Sequence, residues 1–194
     1  MYWIWENSID ENELNAMIYG VPEALKMLRE FGIRFDDGNH INAEVPKIII
    51  ERDGDSQGHL NDNLVAPGTS GLLFSAKLRS VLANCGVDNI EYFPVTIHNP
   101  QDGSSSQEYY LANIVGRIAC VDLAGSDVQM HPNFPDEIEF MDSLKLDESL
   151  INGVLIFRLF EHSQVIIAHE KIKNACELSG ITGVKFTLPQ AFSR

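Results

Sequence analysis

Two segments of this chain carry nearly the same pattern 94 positions apart, and that repeat limits what the chain can fold into. Leu72, Leu73 and Phe74 lead through 75–85 into Gly86-Val87-Asp88-Asn89-Ile90-Glu91-Tyr92, and Ile166, Ile167 and Ala168 lead through 169–179 into Gly180-Ile181-Thr182-Gly183-Val184-Lys185-Phe186. Each copy reads as strand, helix, strand. Leu78, Val81, Leu82 and Cys85 in one copy, and Ile172, Ala175, Cys176 and Ser179 in the other, recur at the spacing that gives a helix one buried stripe. A glycine then stops each helix. Ser75 and His169 hold equivalent positions at the helix starts, where serine is a good cap and histidine a poor one. A cap position explains a polar residue without any chemistry, so neither is read as a nucleophile or a base.

The rest of the chain supplies partners for these units. Glu11 to Tyr19 reads as a short helix. A second helix follows, with Pro22 in its first turn, Ala24, Met27, Leu28 and Phe31 on one face and Gly32 as the stop. Pro46 to Glu51 reads as a strand and Asp53 to Asn63 as an exposed polar loop. Strands are expected at Ile90 to Ile97 and Tyr109 to Val115, paired antiparallel across the turn at 99–106, and at Val115 to Leu123 with both faces buried. An irregular section from Ala124 to Leu150 carries Pro132 and Pro135. Val154 to Phe160 resumes the sheet, and a tight turn at Glu161 to Gln164 leads into Val165. Hairpins together with helical crossovers imply an α+β fold with a mixed, mainly antiparallel sheet, two repeated strand-helix-strand units and an N-terminal helical layer. One domain is expected over 1–194, with 1–66 as a helical elaboration plus first strand and 67–194 as the duplicated core.

Charge narrows the partners. The chain holds 28 acidic against 14 basic side chains, a formal net charge of −14, so nucleic acid and anionic membranes are not expected ligands, whereas a cationic partner is. Solubility alone accounts for such a balance equally well. No apolar run reaches the roughly 20 residues a membrane helix needs, and no export signal is visible at the N-terminus. Cys85, Cys120 and Cys176 are far apart and form no Cys-x-x-Cys pair, so they read as buried thiols of a cytoplasmic protein.

Motifs with a chemical meaning are few. Asp53-Gly54-Asp55-Ser56-Gln57-Gly58 opens like a calcium loop, but Leu64 stands where the bidentate glutamate belongs. No two of the six histidines stand three or four positions apart, so no metal site is expected. Gly68-Thr69-Ser70-Gly71 precedes an apolar strand instead of opening a helix onto phosphate, and no cofactor is expected. Glu161-His162-Ser163 has catalytic residue types, yet neighbours in a hairpin diverge in space. What remains is acidic. Asp136, Glu137, Glu139, Asp142, Asp147 and Glu148 cluster with Lys145 as the only base, interleaved with Phe134, Ile138, Phe140 and Met141. Such a mixture suits an interface that packs through its apolar residues and selects through its carboxylates, and it equally suits a solvated loop anchored by the same residues.

The segments Leu72-Leu73-Phe74-Ser75 with Gly86-Val87 and Tyr92-Phe93-Pro94-Val95, Tyr109-Tyr110-Leu111-Ala112-Asn113 with Val121-Asp122-Leu123, and Ile156-Phe157-Arg158-Leu159 with 180–186 together resemble the immunity proteins of bacterial polymorphic-toxin systems, formerly a domain of unknown function. The resemblance covers about the C-terminal two thirds. Where such proteins open the second helix with Glu-Arg, this chain has Glu170-Lys171. The resemblance implies a cytoplasmic protein that is not an enzyme and that binds a cognate toxin domain, occluding its active or substrate-binding surface. It transfers no contact residue. From the residues, a basic toxin is expected to meet Asp136, Glu137, Glu139 and Asp142, together with Asp36, Asp37 and Glu44. Two other readings stand beside it: a small enzyme with a dispersed histidine and carboxylate site near His98, His131 or His162, and a secretion-system adaptor.

Overall fold

A computed structural model describes residues 1–8, 18–19, 23–53, 58–66 and 71–194. In chain order its elements are β1 (Tyr2–Asn7), β2 (Ile18–Tyr19), α1 (Glu23–Glu30), β3 (Ile48–Arg52), β4 (Asn63–Val65), β5 (Leu72–Ser75), α2 (Ala76–Asn84), β6 (Ile90–His98), β7 (Ser105–Ile114), β8 (Arg117–Ile118), β9 (Asp127–His131), β10 (Phe134–Ser143), β11 (Ile156–Leu159), β12 (His162–His169), α3 (Glu170–Leu178) and β13 (Val184–Thr187). They form a mixed α+β structure. One sheet has the order β2-β3-β6-β7-β5-β4, a second has β13-β1-β12-β11-β8, and β9 pairs with β10. Pairing is antiparallel except between β3 and β6 and between β8 and β11.

The registers of the two sheets run in step. Leu73 faces Leu111 of β7 where Ile167 faces Ile4 of β1, and Phe74 faces Tyr110 where Ala168 faces Trp3. Tyr92 faces Ala112 where Phe186 faces Trp5, and Leu64 faces Leu73 where Phe157 faces Ile167. Strand β1 therefore stands between β12 and β13 as β7 stands between β5 and β6. Both helices begin at a side-chain cap: Ser75 Oγ accepts from the Leu78 amide at 3.1 Å, and His169 Nδ1 accepts from the Lys171 amide at 3.1 Å. Both end on a glycine with positive φ, Gly86 and Gly180, after which the Val87 and Ile181 amides reach back to Leu82 and Cys176.

Alternation along the strands sorts their side chains into layers. Leu72 and Phe74 join Ile166 and Ala168, Trp5 and the inward faces of α2 and α3 in one cluster shared by both sheets. Leu73 points the other way, into a cluster with Leu28, Ile48 and Ile50, and Val165 and Ile167 enter a third with Ile138, Met141 and Phe157. A strand covered on both faces needs no polar side, which is why β5 and β11 are buried throughout.

Several expectations are corrected. Tyr2–Asn7, for which no element was expected, is an interior strand, because Tyr2, Ile4 and Trp5 find pairing partners in β12 and β13. The helix expected over Glu11 to Tyr19 ends instead in β2, its earlier residues lying outside those described. On α1, Leu28 is buried while Met27 and Phe31 are exposed. The section from Ala124 to Leu150 contains the β9–β10 hairpin: Pro132 and Asn133 make its turn, and Pro135 falls in a register shift where its missing N–H breaks no ladder. Only Arg117–Ile118 of the strand expected at Val115 to Leu123 pairs in a sheet. Asn61 and Asn63 are buried, although a polar loop was expected there. The calcium-like stretch falls largely in 54–57, outside the described residues.

Candidate interaction surface

Strand β10 separates its two kinds of residue. Ile138 and Met141 are buried against Cys120, Leu144 and Phe157, with Val128 and Met130 of β9 packed beside them. On the other side Phe134 and Phe140 are each 56% exposed, among exposed Asp136, Glu137 and Asp142, while Glu139 is half-buried. The hairpin is fixed from behind: Met141 exchanges both main-chain hydrogen bonds with Arg194 at 2.9 and 2.7 Å, and the Ile138 amide donates to Glu161 O at 2.8 Å. Phe134 lies 4.8 Å from the His131 ring across the turn. The hairpin thus presents two large rings and several carboxylates to solvent on a braced strand.

The second acidic segment is organised around Arg34. Its guanidinium reaches Asp36 and Asp37, each at 3.3 Å from Nε. The hydrogen bond to Asp36, the charges of Asp36 and Asp37 and, more weakly, that of Glu137 hold Arg34 above the usual arginine range. Asp37 and Glu44 line one cleft of about 510 Å³ with Leu28, Phe31 and Arg34. The wall of that cleft is pinned by Glu91, which accepts from His40 at 2.8 Å, the Ile41 amide at 3.1 Å and Asn113 at 2.8 Å. Asp36 departs from the expectation. It is 1% exposed and turned toward Arg34 and the buried Arg158, so it offers nothing to a partner.

A family model matches residues 15–189, under the description immunity protein family Imm11. The chain belongs to the Imm11 immunity protein family. No curated protein gave a match. The matched span includes the hairpin and the 33–44 loop, and it leaves out β1, although β1 is an interior strand of the second sheet of this Imm11 protein.

Several titratable groups elsewhere hold main-chain atoms or lie in the core. Glu161 Oε1 accepts from the Val121 amide at 3.2 Å, and burial chiefly, aided by Arg194, pushes His162 below the ordinary histidine range. His98 ends β6, and His131 Nδ1 accepts from the Asn133 amide at 3.1 Å. Burial pushes the Cys120 and Cys176 thiols up to about 12. Among the described residues no helix is long and apolar enough to cross a membrane. Sequence reasoning missed Phe160, which is 41% exposed beneath Arg117, 5.3 Å from its ring centre. Its only signal was a large apolar residue at a hairpin turn.

Proposed function

We propose that this Imm11 protein is a cytoplasmic, non-catalytic inhibitor that captures one cognate toxin domain and occludes its active or substrate-binding surface. Membership of an immunity family supports the toxin as partner. The observation that carries the surface is the outer side of β10, where Phe134 and Phe140 stand exposed among Asp136, Glu137, Glu139 and Asp142. Aromatic anchors ringed by charge are the usual energetic centre of an interface, and the carboxylates select a basic partner and speed its approach. Asp37 and Glu44 extend the same surface, while Asp36 orients Arg34 from within. We read the two strand-helix-strand units as copies of one design and the whole chain as one domain, a reading supported by the matched registers and by the apolar cluster common to both sheets.

The test uses the toxin domain encoded beside this chain. Replacing Asp136, Glu137 and Glu139 with lysine should slow association and weaken binding by at least roughly tenfold at low salt, and Phe134→Ala with Phe140→Ala should do as much through faster dissociation. Unchanged affinity in both variants would remove this surface from the reading. Failure of the intact protein to bind the toxin, or to rescue cells that express it, would end the reading altogether.

A further inference from the structure

Lys26, Arg34, Lys77, Lys145, Lys173 and Lys185 of this acidic chain each reach a carboxylate. Arg117 of β8 is exposed and reaches none among the described residues. Its guanidinium lies instead 5.3 Å from the ring centre of Phe160, which is itself 41% exposed. Its stem rests on Gly38, where an added Cβ would come to 2.7 Å from Arg117 Cγ. The carboxylates next to Gly38 and Phe160 in the chain are turned elsewhere. Asp37 pairs with Arg34 at 3.3 Å, and Glu161 gives Oε1 to the Val121 amide and keeps Oε2 buried. The main chain around Arg117 and Phe160 is bonded to both acidic segments: the Gly116 amide donates to Gly38 O, and the Ile138 amide of β10 donates to Glu161 O, each at 2.8 Å.

A guanidinium set against an aromatic ring keeps its N–H groups in its own plane, where they match a carboxylate with two parallel hydrogen bonds. Being held there, it loses less freedom on binding than a loose side chain does. Its charge also has a consequence on a surface that is otherwise negative. Asp37, Asp136, Glu137 and Asp142 draw in any basic protein, whereas Arg117 repels one unless it brings a negative group to that point. We infer that Arg117, set by Phe160, is a specificity-determining residue of the toxin-binding surface, and that the cognate toxin domain offers it an aspartate or glutamate side chain. The inference rests on the proposed function and adds to it a partner that is basic over most of the contact and acidic at one place.

The test measures association and dissociation of the neighbouring toxin domain with the full chain, and the urea midpoint of each variant alongside. Arg117→Met keeps the stem on Gly38 and removes the charge. It should weaken binding by at least roughly tenfold through faster dissociation, with association unchanged or faster because a repelling charge has gone. An arginine outside the contact gives the opposite sign, since its loss would tighten the hold on a basic partner. Tighter or unchanged binding by Arg117→Met therefore overturns the inference. Phe160→Leu keeps apolar bulk, releases the guanidinium and should weaken binding roughly threefold. On the toxin, Asp and Glu residues changed singly to Asn and Gln should include one that costs the same roughly tenfold against the unaltered protein and nothing further against Arg117→Met. A toxin without such a residue overturns the inference even if every variant of this chain binds less well. Failure of the unaltered protein to bind the toxin is a separate result, which removes the proposed function and this inference with it.

Discussion

At the scale of single residues, the contact between the two sheets is decided where a side chain is missing. Gly183 has φ +80°, and a Cβ there would overlap the Asn63 carbonyl oxygen and lie 2.7 Å from Asn61 Cβ. Asn63 in turn donates its side-chain amide to Asn7 and to Gly183 O, and its main-chain N–H to Thr182 O at 3.1 Å. Gly183→Ala should therefore cost at least about 2 kcal/mol, from the left-handed backbone and the overlap together, read as a lower urea midpoint. A second residue fixes how the protein responds to acid. Burial pushes the Glu91 carboxyl up, but hydrogen bonds from His40, Asn113 and the Ile41 amide outweigh it and hold the carboxyl below its ordinary range. A folded value below the unfolded one gives stability that is complete above the unfolded value and lost as pH falls through the folded one. Glu91→Gln should thus lower stability near neutrality and flatten the acid limb of urea midpoints measured between about pH 3 and 7.

At the scale of elements, the two central helices hold each other's ends. Lys77, at the start of α2, donates to Gly180 O beyond the end of α3 at 2.6 Å, and Lys171, at the start of α3, donates to Cys85 O at the end of α2 at 2.8 Å. Each ammonium meets carbonyls that a helix terminus leaves without partners, at the negative end of its dipole. Lys77→Met and Lys171→Met should each cost about 0.5–1 kcal/mol, most of it gone at high salt, as chemical denaturation would register. The runs β5-α2-β6 and β12-α3-β13 were legible because apolar period and glycine stop agreed in each, while His169 caps α3 although histidine is a poor cap by type. The β9–β10 hairpin was not, because two prolines read as interruptions when one makes the turn and the other sits in a register shift. Strand β1 was hidden for another reason: Tyr2-Trp3-Ile4-Trp5 has no sequence neighbour to pair with, and its partners lie more than 150 positions on.

At the scale of the whole molecule, charge was the legible part of the candidate surface and its geometry was not. Counting carboxylates picked out Asp136, Glu137 and Asp142, which are exposed, and Asp36, which is buried, with equal force. What separates them is burial: Asp36 lies inside with Arg34 at 3.3 Å, whereas Asp136, Glu137 and Asp142 stand in solvent. The burial of Arg158 was invisible for the same reason: an arginine in an apolar strand gives no sign that the Ser163 and Phe35 carbonyls will stand opposite its guanidinium.

The placing of β1 has a consequence in time. Residues 63–114 hold β4 to β7 and α2, so the first four-stranded arrangement can close while translation is still under way. Trp3, Ile4 and Trp5 are made long before the strands at 162–169 and 184–187 that flank them, and cannot pair with both until residue 187 has followed. A product that stops short of residue 184 would thus lack β13 and leave one edge of β1 without its neighbour strand.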